Sequence, residues 1–143
     1  MPDLSRILKA DTPLILAQVA RGAQPLVMAD LARASTGRAV FIAPDDAAMR
    51  AIVDAAAFFA PELEVIEFPA WDSLPYDRAS PALSISARRL SALFRLQAGK
   101  AKAQLVVTTA NAVLQRVLSP FRIRESVREF KPGMEIGRES LGL

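Results

Sequence analysis

Four short apolar segments, separated by stretches with helical periodicity, constrain the fold of this chain most strongly. They cover residues 14–17, 39–43, 63–68 and 104–108. Strands of a parallel sheet are covered on both faces and are therefore apolar along most of their length. The intervening stretches place apolar residues three and four positions apart, which predicts helices. The alternation predicts an α/β fold with a mainly parallel sheet flanked by helices and joined by right-handed crossovers.

The predicted helices cover residues 24–34, the stretch that follows Asp45 and Asp46, residues 83–97 and residues 110–118. Pro25 suits a first helical turn, where its missing N–H costs little. Either Asp45 or Asp46 can cap the second helix. The predicted buried face of the long third helix consists of Leu83, Ala87, Leu90, Leu93 and Phe94. Residues 121–130 alternate loosely between apolar and polar and predict a half-exposed strand.

The composition of the 143 residues excludes several kinds of chemistry. The chain contains no cysteine and no histidine. Disulfides, iron–sulfur clusters, thiol nucleophiles and Ser-His-Asp triads are therefore ruled out, as are metal sites that need imidazole or thiolate ligands. No apolar run has the roughly 18–20 residues of a membrane helix. Asp3 precedes any apolar stretch, unlike a secretory signal. These features predict a soluble, cytoplasmic protein.

Positive charge is concentrated in the second half of the chain. Residues 1–71 carry 6 basic and 9 acidic side chains, whereas residues 72–143 carry 12 basic and 6 acidic ones. Arg88 and Arg95 lie on one helical stripe, and Lys100 and Lys102 follow it. These four residues are candidates for contacts with phosphates or an acidic protein surface. An ordinary solvated surface explains them equally well.

The turn at residues 21–25 occupies the position where many parallel α/β proteins bind phosphate. A P-loop needs G-x-x-x-x-G-K-[ST], in which backbone N–H groups and the lysine hold the phosphates. Here the residues after Gly22 are Ala23, Gln24 and Pro25, so the lysine and the hydroxyl are both missing. The turn therefore predicts a degenerate P-loop, with no cofactor, metal or catalytic residue.

The proline-rich segment 69–81 holds the chain's one tryptophan and one tyrosine. Prolines restrict the backbone, which predicts an extended and ordered loop. Large aromatic residues in such loops often anchor contacts. The candidates for partner or interdomain contacts are Trp71, Asp72, Tyr76, Asp77 and Arg78. In the alternative interpretation, the two aromatic rings fold back on the core and the aspartates serve as caps.

Several motifs resemble the N-terminal region of the bacterial transcription-repair coupling factors (Mfd), which is related to the excision-repair protein UvrB. The most specific are W-D-S-L-P-Y-D at 71–77 and S-A-R-R-L-S-A-L at 86–93. A-V-F-I-A-P-D at 39–45, the segment 105–117 and K-P-G at 131–133 also match. The resemblance runs from residue 14 to the end of the chain.

This resemblance implies a RecA-like fold, similar to the first domain of UvrB, with a degenerate nucleotide site. The domain would occupy residues 1–131, and residues 132–143 would be the truncated start of the next domain. The family as a whole uses ATP to move on DNA, displaces stalled RNA polymerase at lesions and recruits UvrA for nucleotide excision repair.

Within such a protein, the resemblance implies a non-catalytic support for docking. Its partners would be other domains of the same protein, with UvrA bound through the adjoining domain and with RNA polymerase and DNA bound through downstream domains. Two alternatives remain open. One is the nucleotide-binding lobe of an ATP-dependent DNA helicase, and the other is a basic DNA-binding domain.

Overall fold

The computed structural model describes residues 4–35, 38–73, 76, 80–98, 103–127 and 132–135. Its helices are α1 (Leu4–Leu8), α2 (Gln24–Ala34), α3 (Asp46–Phe59), α4 (Leu83–Gln97), α5 (Ala110–Leu114) and α6 (Pro120–Ser126), and a 3-10 turn, Arg21–Ala23, leads into α2. The strands are β1 (Ala39–Ala43), β2 (Glu64–Phe68) and β3 (Gln104–Thr109).

The three strands form one parallel sheet in the order β1-β3-β2. The central strand is fully buried, with Phe41 of β1 in register with Val107 and Ile66 of β2 in register with Val106. The predicted α/β fold, with a parallel sheet flanked by helices, is confirmed.

The sheet separates two apolar clusters. On one face, α2 and α3 contribute Ala29, Met49 and Ile52 to a cluster that includes Leu105 and Val107. On the other face, α4 contributes Ala92 to a smaller cluster, which includes Ile66, Phe68, Val106 and Ala112. Burial of these side chains against both faces is the main stabilising term for a sheet of three short strands.

The helix starts follow local signals in the sequence. Pro25 lies in the first turn of α2, as predicted. The Asp45 carboxylate accepts a hydrogen bond from the Ala48 N–H at 2.7 Å, so Asp45 is the cap of α3. Thr109 caps α5 in the same way, through the Ala112 N–H.

Two predicted strands are wrong. Residues 14–17 form no strand; Ile15 is 92% exposed, and the turn that follows holds Gln18 at a φ of 61°. In place of a strand over 121–130, helix α6 spans Pro120–Ser126. Ser119 caps this helix and Pro120 occupies its first turn, and these start signals outweigh the loose alternation that follows.

Two helix predictions also need correction. The helix predicted for 110–118 ends at Leu114. On α4 the buried positions are Arg89 and Ala92, whereas Leu83 is 87% exposed. The predicted face contains apolar residues alone and therefore leaves out Arg89, so it does not coincide with the strip that packs on the sheet.

Polar side chains link the amino ends of all three strands. Gln104 is buried; its Oε1 accepts from Arg38 Nε and its Nε2 donates to Glu64 Oε2 at 2.6 Å. Glu64 also accepts from Arg95 Nε at 2.9 Å, and these bonds lower the pKa of its carboxyl. The network joins β1, β3, β2 and α4, which opposes slippage of the strand register. None of the helices in the described part of the chain is long and apolar enough to span a bilayer.

Candidate docking site at the carboxyl ends of the strands

The carboxyl ends of β2 and β3 carry the segments with the most distinctive side chains. Segment 69–73 follows Phe68, and α5 with Gln115 follows Thr109. The Thr108 hydroxyl donates to the Phe68 carbonyl at 2.8 Å, which joins the two strands at this end. Functional sites of parallel sheets are commonly located at the carboxyl ends of the strands.

Arg89 of α4 is the centre of this site. It is only 2% exposed, and its guanidinium contacts two aromatic rings. The guanidinium carbon is 4.3 Å from the centroid of the Phe68 ring and 4.4 Å from that of Trp71. Such cation–π contacts are strongest where water is excluded. Arg89 therefore fixes Trp71, the first aromatic residue of segment 69–81, against the sheet.

Gln115 completes the anchor from the other side. Its Oε1 accepts from the Trp71 backbone N–H at 2.8 Å and from Arg89 Nη1 at 3.2 Å. Arg89 Nη1 also donates to the Pro69 carbonyl at 2.5 Å. The side-chain oxygen of Gln115 thus connects the segment after β3 to both α4 and the loop that begins at Pro69.

The electrostatics of Arg89 are unusual for a buried cation. Burial lowers the pKa of its guanidinium, and among the residues that the structure describes Nη2 has no hydrogen-bond partner. The acceptors of Arg89 in the described residues are the neutral oxygens of Pro69 and Gln115, in place of a carboxylate. A charge held by neutral groups and ring faces stabilises the fold only while those groups keep their positions.

Asp72 and Tyr76 are the other candidate residues of segment 69–81 that the structure describes. The Asp72 carboxylate accepts from the Ala82 N–H at 3.2 and 3.4 Å, directly before α4 begins, so Asp72 restrains both ends of the loop. Tyr76 is 97% exposed and does not fold back on the core. Asp77 and Arg78 lie outside the described residues. Trp71 and Tyr76 therefore differ in environment, since Trp71 is anchored and Tyr76 faces solvent.

The turn at Gly22 borders a cavity of about 690 Å³ between α2 and α3. The polar side chains at its wall are Arg21, Gln24 and Asp45, and apolar residues such as Phe41, Pro44 and Ile52 form most of the rest. Ala23, at the N-cap of α2, offers no side-chain acceptor. A Cβ added at Gly22 would meet no atom within 4 Å. The cavity has the size of a ligand site, but its wall is mainly apolar.

The basic stripe on α4 is paired with acidic residues of β2. Arg88 Nη1 lies 3.1 Å from Glu67 Oε1, and Arg95 Nη2 lies 2.9 Å from Glu64 Oε1. Lys100 and Lys102 lie outside the described residues. In the described part of the chain, no group of three or more acidic side chains could hold a metal ion.

Sequence reasoning missed Arg89 and Gln115. Arg89 stands in the S-A-R-R motif beside Arg88, a candidate for phosphate or acidic-surface contacts, and helical spacing alone does not show which arginine faces the sheet. Gln115 follows a five-residue helix and carries no signal of its own. The sequence contained one usable signal, the single Trp71 at the end of a predicted strand, because a buried aromatic ring is a common partner for arginine.

Comparison with curated proteins finds three relatives, all named transcription-repair-coupling factor. The protein of Haemophilus influenzae is 30% identical over 119 residues, which cover 83% of this chain and 10% of the relative. That of Escherichia coli is 27% identical over 134 residues, 94% of this chain and 11% of the relative. That of Rickettsia bellii is 36% identical over 62 residues, 43% of this chain and 5% of the relative. No protein-family model matches. The predicted resemblance to coupling factors is confirmed, and the chain spans about a tenth of the length of the first two relatives.

Proposed function

We propose that this chain, as a relative of the transcription-repair-coupling factors, forms a non-catalytic support domain of such a protein. The domain would be RecA-like and similar to the first domain of UvrB, with a nucleotide site that no longer binds ATP. Its direct partners would be neighbouring domains of the same protein. Contacts with UvrA would be made through the adjoining domain, and contacts with RNA polymerase and DNA through downstream domains.

The observation that carries the proposal is the contrast between the two aromatic residues of segment 69–81. Arg89 and Gln115 hold Trp71 at the sheet, while Tyr76 is almost fully exposed five residues later. A segment that is anchored at Trp71 and presents a large amphipathic ring to solvent at Tyr76 is suited to contact another protein surface. We assign the anchoring role to Trp71 and the docking role to Tyr76.

The residues that line the cavity beside Gly22 support the proposal that the domain is non-catalytic. ATP carries several negative charges, and its binding at a P-loop depends on a lysine and on backbone N–H groups that approach the phosphates closely. At this turn, Gln24 and Pro25 replace the lysine and the hydroxyl. Arg21 is the cation at the wall, and Asp45 provides an opposing charge. The helicase-lobe alternative lacks a phosphate-binding group of the usual kind.

The ion pairs of α4 disfavour the DNA-binding alternative. Arg88 and Arg95 already form ion pairs with Glu67 and Glu64, so a DNA phosphate would have to compete with a protein carboxylate at each arginine. A DNA-binding domain also predicts an association that weakens steeply with salt. We expect no such association at physiological salt, and fluorescence anisotropy with labelled duplex DNA across a salt series measures it.

A chimera tests the proposed support role. The segment of the Escherichia coli relative that matches this chain is replaced by the chain itself, and survival after ultraviolet light is measured in cells that lack their own coupling factor. We expect the chimera to restore survival and Tyr76→Ser to reduce it without lowering the thermal stability of the isolated chain. The matched control is Leu83→Ser, which changes another highly exposed side chain and should leave survival unchanged. Full rescue by the Tyr76→Ser chimera would contradict the docking role.

A further inference from the structure

Arg89 carries a buried positive charge, and no carboxylate among the described residues pairs with it. Its Nη1 donates to the neutral oxygens of Pro69 and Gln115, and within the described part of the chain its Nη2 has no acceptor. Elsewhere on α4, Arg88 and Arg95 each form an ion pair with a carboxylate. Burial of a charge without a charged partner costs free energy, so hydration of the Arg89 guanidinium would recover part of that cost.

Residues 69–73, which we call the strap, supply one of the two rings on this guanidinium and one of its two acceptors. The ring is that of Trp71, with its centroid 4.4 Å from the guanidinium carbon, and the acceptor is the Pro69 carbonyl. The Trp71 backbone N–H donates to Gln115 Oε1 at 2.8 Å. Because these three contacts all involve the strap, they would be lost together, whereas the pairing of β2 with β3 ends at Phe68 and would remain.

A cavity of about 110 Å³ lies beside the strap. Pro69, Trp71 and Asp72 of the strap line it together with Ile85 and Arg88 of α4. At roughly 30 Å³ for each water molecule in the liquid, this space has room for about three of them. Side chains beside such a space lack some of the contacts of a close-packed interior, and this lowers the free energy needed to move them.

We propose that the strap opens and closes on Arg89 as a local unit while the sheet remains intact. In the closed form Trp71 covers the guanidinium, and in the open form water hydrates it. Hydration of the charge offsets part of the cost of breaking the contacts, so the open form is reached at a lower free energy than the unfolded chain. Tyr76 lies five residues beyond Trp71, so opening also releases the residue to which we assign docking. This last consequence alone rests on the proposed function.

Amide hydrogen exchange of the 143-residue chain, followed by NMR across a urea series below the unfolding transition, tests the strap. We expect the Trp71 N–H to exchange at least about tenfold more slowly than in an unstructured peptide and at least about tenfold faster than the Val106 and Val107 amides of β3. Its rate should change little with urea, because a local opening exposes little surface, whereas the rates of the β3 amides should rise steeply. Protection of Trp71 equal to that of β3, an equally steep urea dependence, or no protection of Trp71 at all overturns the proposal.

Gln115→Glu tests the part played by the charge. It keeps the acceptor for the Trp71 N–H and places a carboxylate beside Arg89, so the Trp71 N–H should exchange at least about threefold more slowly than in the parent chain. The matched control is Gln24→Glu, which adds the same charge at the start of α2, on the other face of the sheet from α4, and should leave that rate unchanged.

Circular dichroism verifies that both variants fold. A folded Gln115→Glu variant whose Trp71 N–H exchanges as fast as in the parent chain, or faster, would contradict the role assigned to the unpaired charge. Survival of cells that carry the chimera does not enter these measurements. Failure of the strap and failure of the docking role are therefore separate results.

Discussion

Arg89 packs its guanidinium against the indole of Trp71 at 4.4 Å from the ring centroid, and this contact links helix α4 to the loop that follows β2. The same guanidinium lies 4.3 Å from the centroid of the Phe68 ring. Segment 69–81 leads into α4, and a residue of the same helix holds the segment near its start, at Trp71.

Trp71→Ala should lower the free energy of unfolding by about 2–3 kcal/mol, because it removes a large partly buried ring and a desolvated cation–π contact. Tyr76→Ala should change it by less than about 0.5 kcal/mol, since that ring is exposed and substitutions of this kind have small effects. Urea unfolding followed by circular dichroism measures both. Equal losses for the two variants would show that the loop is not anchored at Trp71.

Arg89→Lys should lower the free energy of unfolding by about 1–3 kcal/mol, because lysine offers neither a planar group for stacking nor the same set of donors. The neighbouring Arg88→Lys serves as control and should cost less than about 1 kcal/mol, as expected for an exposed ion pair. The fluorescence of Trp71, the only tryptophan, should change in the Arg89 variant alone. An unchanged emission spectrum would contradict the stacked arrangement.

Gln115→Leu should lower the free energy of unfolding by about 1–3 kcal/mol, since it leaves the Trp71 N–H without its acceptor. Gln115→Glu keeps the acceptor and adds a negative charge beside Arg89, so it should be at least as stable as the parent chain. Thermal unfolding at neutral pH distinguishes the two. A Gln115→Glu variant less stable than Gln115→Leu would disprove the proposed role of this side chain.

Glu64 should make stability depend on pH in the acidic range. Hydrogen bonds from Gln104 and Arg95 lower the pKa of its carboxyl below the ordinary value of 4.5. The ionised group therefore stabilises the fold above that value, and the contribution is lost as pH falls through the folded-state pKa. Glu64→Gln removes this contribution, so its free energy of unfolding should fall less steeply than that of the parent chain below pH 4.5. Parallel curves for the two proteins between pH 7 and pH 3 would contradict the network.

The sequence allowed the sheet to be predicted better than the site. Ala39–Ala43 and Glu64–Phe68 form strands within the predicted ranges, because a short run rich in β-branched and apolar residues is a signal that depends on local sequence. The strand expected at 14–17 does not form, since a strand needs a paired neighbour and periodicity does not reveal which neighbours exist. Arg89 illustrates the same limit at the site. Its burial depends on Phe68, Trp71 and Gln115, which the fold brings together from distant parts of the chain.

Gly22→Ala should change the free energy of unfolding by less than about 1 kcal/mol, because the added Cβ meets no atom within 4 Å. With Gln24 at the lysine position, Gly22 occupies a variable position of the G-x-x-x-x-G-K-[ST] pattern, and the motif's second glycine is replaced by Ala23. The prediction is tested by thermal unfolding of the variant beside the parent chain. A large loss of stability would show that the turn has a structural requirement for glycine.

Calorimetric titration of the 143-residue chain with Mg-ATP tests the central claim, that this domain supports docking and does not bind nucleotide. The account predicts no saturable heat at millimolar nucleotide, for the parent chain and for Gly22→Ala alike. Saturable binding by the parent chain would contradict it, and the helicase-lobe alternative would then be the better account.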